Sequence, residues 1–318
     1  MTMNEEIRVL CAAGVPEDMA KRLSDAIGPV TILKSDDENE IIREIQDKQV
    51  FVVRSKPKVT ASIINNAPEL KVVARPGVGT DNIDKEACKN KGIKVINTPE
   101  ASATSVSELT IGLAISLLRY TFTTCNLLKS GDWAKNKYTG RTIEGKVWGI
   151  IGFGGIGRRV ANIVKAMNAQ VIAYDPYIPE EQFQKYEVKR AIRLEDLLSV
   201  SDIVSLHVIM SDETKGMISA EAIQLMKKGS YLINTSRGKV IDQKALMQAL
   251  VSGHLAGAAL DVFETEPPND KELICLDNLI CTPHIGGSTE EAFFNATDIM
   301  IRKLRQMFKP EEEGPIGI

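Results

Sequence analysis

The 318-residue chain is poor in the features that mark several large classes of protein. It has five cysteines, an odd number, and no Cys-x-x-Cys pair, which favours a reduced cytoplasmic protein with buried thiols and no metal site. Its longest apolar stretch, residues 109–118, is too short to cross a bilayer, and residues 1–6 lack the basic start of a signal peptide. A formal net charge of −3 argues against a nucleic-acid footprint. We therefore expect a cytoplasmic protein with neither a nucleic-acid nor a membrane partner.

Histidine is also scarce, with three residues in the chain, so a general acid or base of this type has few candidates. His207 lies within a predicted apolar strand, where a hydrogen-bonded core imidazole is the commoner outcome, and His254 lies in a turn that we expect to be solvated. His284 follows a predicted strand end and precedes two glycines. Because imidazole suits proton transfer near neutral pH, His284 is the predicted acid–base residue.

The most informative pattern that is present is the glycine turn Gly152-Phe-Gly-Gly-Ile-Gly157, which follows an apolar run and opens a helical pattern. A second apolar run ends at Asp175, 18 positions after Gly157. This order predicts a strand–turn–helix–strand unit whose helix N-terminus holds the diphosphate of a dinucleotide. Asp175 would accept hydrogen bonds from the ribose hydroxyls of NAD and repel the 2′-phosphate of NADP, so NAD is the predicted cofactor. The residues predicted to bind it here are Gly152, Gly154, Gly155, Ile156, Gly157 and Asp175.

Strand and helix patterns alternate along most of the chain, which is typical of parallel sheets covered on both faces. The first hundred residues contain four predicted strands, which begin at Ile7, Val50, Leu70 and Ile93. Six more are predicted at 146–151, 170–174, 202–208, 230–235, 256–261 and 279–282, and they match a complete dinucleotide-binding domain. One long buried helix is predicted near 105–128, between the two series. We therefore predict an α/β protein with two doubly wound parallel-sheet domains and a cleft between them that is faced by strand ends.

Polar side chains follow the last three predicted strands. Arg237 can form two parallel hydrogen bonds to a carboxylate, although a solvated surface arginine is the alternative. Glu266 lies in the loop after the strand that ends at Asp261, and a carboxylate beside His284 would favour the protonated imidazole. A 2-oxo acid needs a cation for its carboxylate and an acid for its ketone oxygen, and Arg237 and His284 are of these types.

Together these motifs resemble the D-isomer-specific 2-hydroxyacid dehydrogenases over essentially the whole chain. The segments that carry the resemblance are residues 75–84, 149–158, 234–238, 257–263 and 282–287. The resemblance implies that Arg237 binds the substrate carboxylate, that Glu266 supports His284 as the general acid–base, and that Asp261 contacts the nicotinamide. The further cofactor-binding residues that it implies are Val208, Thr235, Ser236, Gly286 and Gly287.

The resemblance also implies how the domains are arranged along the chain. A flavodoxin-like substrate domain is expected to be discontinuous, with residues 1–98 and 288–318. A Rossmann NAD-binding domain, residues 99–287, is inserted into it. The resemblance further implies a homodimer that forms through the NAD-binding domains.

Two arginines bear on the choice of substrate. Arg54 and Arg75 follow predicted strands of the first domain, and two arginines there would suit a phosphate group, although ordinary surface arginines are the alternative. Both stand in sequence contexts that resemble those of the family's phosphoglycerate-oxidising members, and the same loop adds Val78 and Gly79 as predicted substrate-binding residues. We therefore expect NAD-dependent oxidation of D-3-phosphoglycerate to 3-phosphohydroxypyruvate, the entry to serine biosynthesis.

Three alternatives to this substrate and function stay open. The chain would act as a glyoxylate or hydroxypyruvate reductase, as a D-lactate dehydrogenase, or as an NAD-sensing corepressor without turnover. Many phosphoglycerate-oxidising relatives carry a further C-terminal domain that binds serine. No such domain follows the last predicted helix here, so we expect no serine feedback by that route.

Overall fold

The computed structural model describes residues 6–308, and it divides into two compact units. Unit 1 comprises the chain up to Ser102 together with the chain from Thr289 onward, and unit 2 comprises Ala103–Ser288. Unit 2 is therefore an insertion in the sequence of unit 1, and its two ends fall four residues and one residue after the predicted boundaries at 98 and 287. Residues 309–318 of the predicted first domain lie outside the described residues.

Unit 1 is built on a five-stranded parallel sheet. Its strands are β1 (Val9–Cys11), β2 (Val30–Ile32), β3 (Val50–Val52), β4 (Val72–Arg75) and β5 (Lys94–Asn97). Its helices are α1 (Glu17–Ala26), α2 (Glu38–Glu44), α3 (Ala61–Asn65), α4 (Lys85–Asn90) and α13 (Glu290–Phe308). The strand order β2-β1-β3-β4-β5 is that of flavodoxin-like folds, so the predicted fold of this unit is confirmed.

The elements of unit 1 that sequence analysis found are those with strong apolar patterns. All residues of β1 and β3 are buried, because helices cover both faces of the sheet. β2 is a half-buried edge strand and lacks a continuous apolar run. α2 is rich in charged residues and buries only Ile41, although the Asp37 side chain caps it by accepting from the Glu40 N–H. Neither β2 nor α2 was predicted.

Unit 2 is built on a seven-stranded parallel sheet. Its strands are β6 (Val147–Ile151), β7 (Gln170–Tyr174), β8 (Lys189–Arg190), β9 (Ile203–Leu206), β10 (Ser230–Asn234), β11 (Leu255–Leu260) and β12 (Leu279–Cys281). Its helices are α5 (Ala103–Leu118), α6 (Thr121–Lys129), α7 (Gly155–Ala166), α8 (Glu180–Lys185), α9 (Leu194–Leu198), α10 (Ala220–Leu225), α11 (Gln243–Val251), α12 (Lys271–Ile274) and a 3₁₀ turn at Gly238–Val240. The strand order is β12-β11-β10-β9-β6-β7-β8. From β6 the sheet grows first toward β7 and β8, and then from β9 toward β12 on the other side, as in a Rossmann fold. The doubly wound prediction is confirmed, with β8 as a seventh, two-residue strand that has no apolar signal.

The predicted single helix over 105–128 is wrong. The chain bends by 65° between α5 and α6, and Tyr120 at the break has a positive φ of 52°. The Leu118 carbonyl at the end of α5 accepts a hydrogen bond of 2.9 Å from the Arg141 N–H, and a Cβ at Gly140 would lie 2.6 Å from the same oxygen. The returning chain therefore packs against the end of α5. Within residues 6–308 no single helix is long and apolar enough to span a membrane, and α5 with α6 meets that test only when joined across this bend.

Candidate active site

The glycine turn lies between β6 and α7, at the carboxyl end of an interior strand of the unit 2 sheet. Gly152 has a φ of +91°, and a Cβ there would lie 2.6 Å from the carbonyl oxygen of His207, the residue after the neighbouring strand β9. A Cβ at Gly157 would overlap the Gly152 carbonyl, so this glycine lets α7 pack closely against the turn. By contrast, no atom lies within 4 Å of a Cβ placed at Gly154, the N-cap of α7. The turn is therefore tight on its inner side and open at the helix N-terminus.

This open helix end fits the diphosphate of a dinucleotide. Gly154 has no side chain that could cap the helix, and the first N–H groups of any α-helix lack partners within it. Asp175, which follows β7, is tied to the turn because its Oδ2 accepts from the Phe153 N–H at 2.8 Å. Its Oδ1 accepts from the Tyr177 N–H at 3.0 Å, and each oxygen keeps further lone-pair capacity for ribose hydroxyls. Val208 also borders the turn, since its Cγ1 would lie 3.0 Å from a Cβ at Gly152.

The loop after β10 is shaped by Asn234, which is fully buried. Its Oδ1 accepts from both the N–H and the hydroxyl of Ser236, and its Nδ2 donates to the Arg237 carbonyl at 2.8 Å. Thr235 shares a hydrogen bond of 2.9 Å with Thr110 of α5. The side chains of Thr235 and Ser236 are thus used to build the loop, and their role in binding the cofactor stays a prediction.

Backbone packing brings the loops after β10 and β11 together. A Cβ at Gly238 would overlap the carbonyl group of Phe263, so only glycine allows this approach. Arg237, the residue before this glycine, is half-buried, and its Nη1 donates to the Ser236 carbonyl at 2.7 Å. The guanidinium is therefore oriented by its own loop, which in turn lies against the loop that contains Glu266.

Glu266 and His284 form a hydrogen-bond contact between the loops after β11 and β12. Nδ1 of His284 lies 2.7 Å from Oε2 of Glu266, and the other carboxylate oxygen accepts from the Phe263 N–H at 3.1 Å. His284 is half-exposed, so its ring is both held and accessible to a ligand. The predicted pairing of these two residues is thus present as geometry, and their catalytic roles stay a prediction.

Asp261, at the end of β11, is bound on every side by protein donors. Its Oδ1 accepts from the Thr282 hydroxyl at 2.6 Å and from the Ile285 N–H at 2.8 Å, and its Oδ2 accepts from the Gly286 N–H at 2.8 Å. Gly286 is buried against this carboxylate, since a Cβ there would lie 3.0 Å from Oδ2. Gly287, the other predicted glycine of the loop, is exposed.

The other two histidines, His207 and His254, form hydrogen bonds within the protein. Nε2 of His207 lies 3.0 Å from the Ser205 hydroxyl, which also accepts from the buried Trp148 Nε1. Burial lowers the pKa of His207 to about 3, so this imidazole is neutral near pH 7 and the predicted core role holds. His254, expected to be solvated, is half-buried instead and bonds the Ile223 carbonyl at 2.9 Å. His284 therefore remains the predicted acid–base residue, and it is the most exposed of the three histidines.

Burial makes three of the five cysteines poor candidates for a nucleophilic thiolate. Burial raises the pKa of Cys11 to about 12 and the pKa values of Cys88 and Cys281 to about 11, which disfavours the thiolate. Cys125 and Cys275 are exposed, so the expectation of uniformly buried thiols is wrong. Within residues 6–308 no group of three His, Cys, Asp or Glu side chains is arranged to hold a metal ion.

The predicted substrate-binding residues of unit 1 lie at the ends of the neighbouring strands β3 and β4. Arg54 is exposed, and its guanidinium carbon lies 5.9 Å from the centroid of the Phe293 ring. Arg75, unlike Arg54, is half-buried, and its Nη1 donates to the Gly79 carbonyl. The Val78 carbonyl accepts from the Asn97 side chain. Arg75 and Asn97 therefore shape the 76–80 loop.

Sequence reasoning gave no individual role to three residues that organise the site, Asn234, Gly238 and Thr282, although all three lie in segments that carry the family resemblance. Each lies within a few positions of a residue that was predicted, at the end of a strand, so location alone could have drawn attention to them. Two of these roles depend on distant partners that no sequence pattern encodes. Gly238 packs against Phe263, 25 positions further along the chain, and Thr282 bonds Asp261, 21 positions earlier.

Comparison with known proteins agrees with this arrangement. The family described as "D-isomer specific 2-hydroxyacid dehydrogenase, NAD binding domain" matches residues 111–286. The D-3-phosphoglycerate dehydrogenase of Methanocaldococcus jannaschii is 41% identical over 305 residues, which is 96% of this chain and 58% of that protein. The hydroxypyruvate reductase of Thermotoga maritima is 45% identical over 259 residues, 80% of this chain and 83% of that protein. This chain thus spans little more than half the length of the archaeal relative.

A solved structure shows the same fold over nearly the whole chain. The D-lactate dehydrogenase of Aquifex aeolicus, determined in complex with NAD and lactic acid, is 31% identical, with a TM-score of 0.83. The match covers 95% of this chain and 96% of that one. From the Rossmann sheet, the paired Glu266 and His284, and these similarities, we conclude that the chain belongs to the D-isomer-specific 2-hydroxyacid dehydrogenase family and contains the family's NAD-binding domain.

Proposed function

We propose that this protein interconverts a 2-hydroxy acid and its 2-oxo acid with NAD, and that its preferred pair is D-3-phosphoglycerate and 3-phosphohydroxypyruvate. The observation that carries the proposal is the 2.7 Å contact between His284 and Glu266, on strand ends next to the loop of Arg237. A general acid beside a cation that recognises carboxylates is what reduction of a 2-oxo acid requires.

Each residue of the site has a separate role in the proposed reaction. When bound, NAD would supply the hydride acceptor for a 2-hydroxy acid, and NADH the hydride donor for a 2-oxo acid. Arg237 presents a planar guanidinium to the substrate carboxylate and fixes its orientation. Glu266 holds Nδ1 of His284, which leaves Nε2 to give a proton to the ketone oxygen or to take one from the alcohol. Asp175 accepts from the adenosine ribose and disfavours a 2′-phosphate.

The phosphorylated substrate is supported by one residue and one relative. Arg54 offers an exposed, always charged guanidinium, which suits a phosphate. The archaeal relative that aligns with 96% of this chain is a D-3-phosphoglycerate dehydrogenase. A hydroxypyruvate reductase is the second candidate, because the Thermotoga protein of that name is 45% identical.

A steady-state substrate panel tests the proposal. Purified protein is assayed with 3-phosphohydroxypyruvate, hydroxypyruvate, glyoxylate and pyruvate, each with NADH and with NADPH. We expect NADH to be preferred, and kcat/KM for 3-phosphohydroxypyruvate to exceed that for hydroxypyruvate at least about tenfold, the effect of one charged hydrogen bond. Equal kcat/KM values for 3-phosphohydroxypyruvate and hydroxypyruvate would favour a hydroxypyruvate reductase. No turnover with any substrate would favour a cofactor-sensing role.

We further propose a cytoplasmic enzyme of serine biosynthesis whose partners are its small-molecule substrate and a second copy of the chain. Neither a nucleic acid nor a membrane is part of this proposal. The net charge of −3 and the lack of a long apolar run support that choice of partners.

A further inference from the structure

The Asp261 carboxylate ties down both ends of the loop that carries His284. Thr282, at the start of the loop, donates its hydroxyl to Oδ1, while Ile285 and Gly286, at the end, donate their N–H groups to Oδ1 and Oδ2. Asp261 is 1% exposed, so these three short bonds satisfy a buried charge. One side chain thus closes the loop with His284 between its anchors.

The backbone of His284 needs such support. Its φ of 55° lies in the left-handed region, which non-glycine residues rarely adopt. A conformation of this kind persists where the surrounding structure holds it, and it is enriched at functional sites. Within the loop the His284 N–H bonds the Thr282 carbonyl at 3.0 Å, so a tight turn leads into the strained residue. The bonds on the other side of His284 are those to Asp261.

The imidazole is held separately, by Glu266, which lies five positions after Asp261 in the same loop region. The Phe263 N–H orients the Glu266 carboxylate, and Phe263 itself is two positions after Asp261. The end of β11 therefore supplies one acid for the ring of His284 and another for its backbone. If the backbone bonds were lost, the ring would no longer be held opposite Glu266.

We propose that Asp261 is a positioning residue that acts through His284, rather than mainly a contact to the nicotinamide. The proposal rests on the proposed function for its catalytic consequence, but not for its structural one. A nicotinamide contact would make substitutions of Asp261 weaken cofactor binding. A backbone anchor would make them disturb His284 in the protein without cofactor and lower kcat.

Two variants and one control test this role. Asp261→Asn keeps the shape but places an amide opposite a backbone N–H, and Thr282→Val removes only the hydroxyl bond. Glu264→Gln, in the same exposed loop, controls for loss of a nearby negative charge. The readouts are the Nδ1–H resonance of His284 in cofactor-free protein, assigned by its absence in His284→Ala, together with NADH affinity and kcat.

We expect Asp261→Asn to shift or broaden the His284 resonance. It should also lower kcat roughly 10- to 100-fold, because a buried backbone N–H of the loop loses its acceptor. NADH affinity should change less than about threefold. Thr282→Val should show the same pattern more weakly, and the double variant should lose less than the product of the single losses. Glu264→Gln should leave all three readouts unchanged.

One combination of results would contradict this role for Asp261. An unchanged His284 resonance and kcat, with NADH binding weakened about tenfold or more, would make Asp261 a cofactor contact and overturn the proposal. If Asp261→Asn fails to fold, Thr282→Val decides, and a wild-type resonance in it contradicts the anchor. Because the resonance is measured without cofactor or substrate, a wild-type protein without dehydrogenase activity would refute the proposed function alone.

Discussion

Arg54 and Arg75 end neighbouring strands of unit 1, but their guanidinium groups have different tasks. Arg54 is exposed and lies over the Phe293 ring, which restricts the side chain without neutralising its charge. Arg75 donates to the Gly79 carbonyl and so fixes the 76–80 loop. We infer that Arg54 selects for a phosphate group and that Arg75 mainly shapes the loop beside it.

Replacement of the two arginines separates these tasks. Arg54→Ala should lower kcat/KM for 3-phosphohydroxypyruvate roughly 10- to 100-fold and leave hydroxypyruvate nearly unaffected, because one charge-assisted contact to phosphate is lost. Arg75→Ala should lower the values for both substrates by similar factors, and Arg54→Lys should keep part of the selectivity. Steady-state assays of the three variants measure this. An equal loss for both substrates in Arg54→Ala would remove Arg54 from phosphate recognition.

Helix α6 differs from its neighbour α5 in having no buried residue. Phe122 and Leu128 on α6 are 50% and 56% exposed, and Trp133 just beyond it is 74% exposed. Large apolar side chains grouped on one exposed segment mark an interaction surface. This surface belongs to unit 2, the unit through which the family resemblance implies dimerisation.

We therefore expect a homodimer that forms through α6 and the segment after it. Light scattering should give about twice the chain mass of 34.9 kDa. Replacement of Phe122, Leu128 and Trp133 by serine should yield a monomer, because the apolar contact is lost. Tyr177→Ser, at a similarly exposed site (72%) after β7, is the matched control and should stay dimeric. A wild-type protein that elutes as a monomer, or a triple variant that stays dimeric, would contradict this interface.

The elements that sequence analysis identified are those in which burial imposes a pattern. β6, β9, β10 and β11 read as apolar runs because helices cover both faces of the sheet. β8 has only a lysine and an arginine, and its place at the sheet edge demands no apolar run. The break between α5 and α6 depends on the Arg141 N–H and on Gly140, more than 20 residues beyond the end of α5, so local pattern could not reveal it.

At the scale of the whole molecule, the positions of the candidate site residues follow from the topology of the sheet, whereas the contacts that support them do not. In parallel sheets the carboxyl ends of consecutive strands meet at one edge, so Arg237, Asp261 and His284 could be expected together. The Glu266–His284 contact required only that two adjacent loops meet. The anchoring of the His284 loop by Asp261 depends on the loop's backbone conformation, including the positive φ of His284. No spacing rule encodes that conformation.

We propose that His284, held by Glu266, moves the proton in an NADH-dependent reduction of a 2-oxo acid. The most direct test compares wild type, Glu266→Gln and His284→Ala in the reduction of 3-phosphohydroxypyruvate, with NADH affinity measured in parallel. We predict that His284→Ala loses about 100- to 10,000-fold in kcat, the usual contribution of a general acid, and that Glu266→Gln loses less. NADH affinity should stay within about threefold of wild type in both variants, because neither side chain is assigned to the cofactor. A His284→Ala variant that turns over at nearly the wild-type rate would contradict the account.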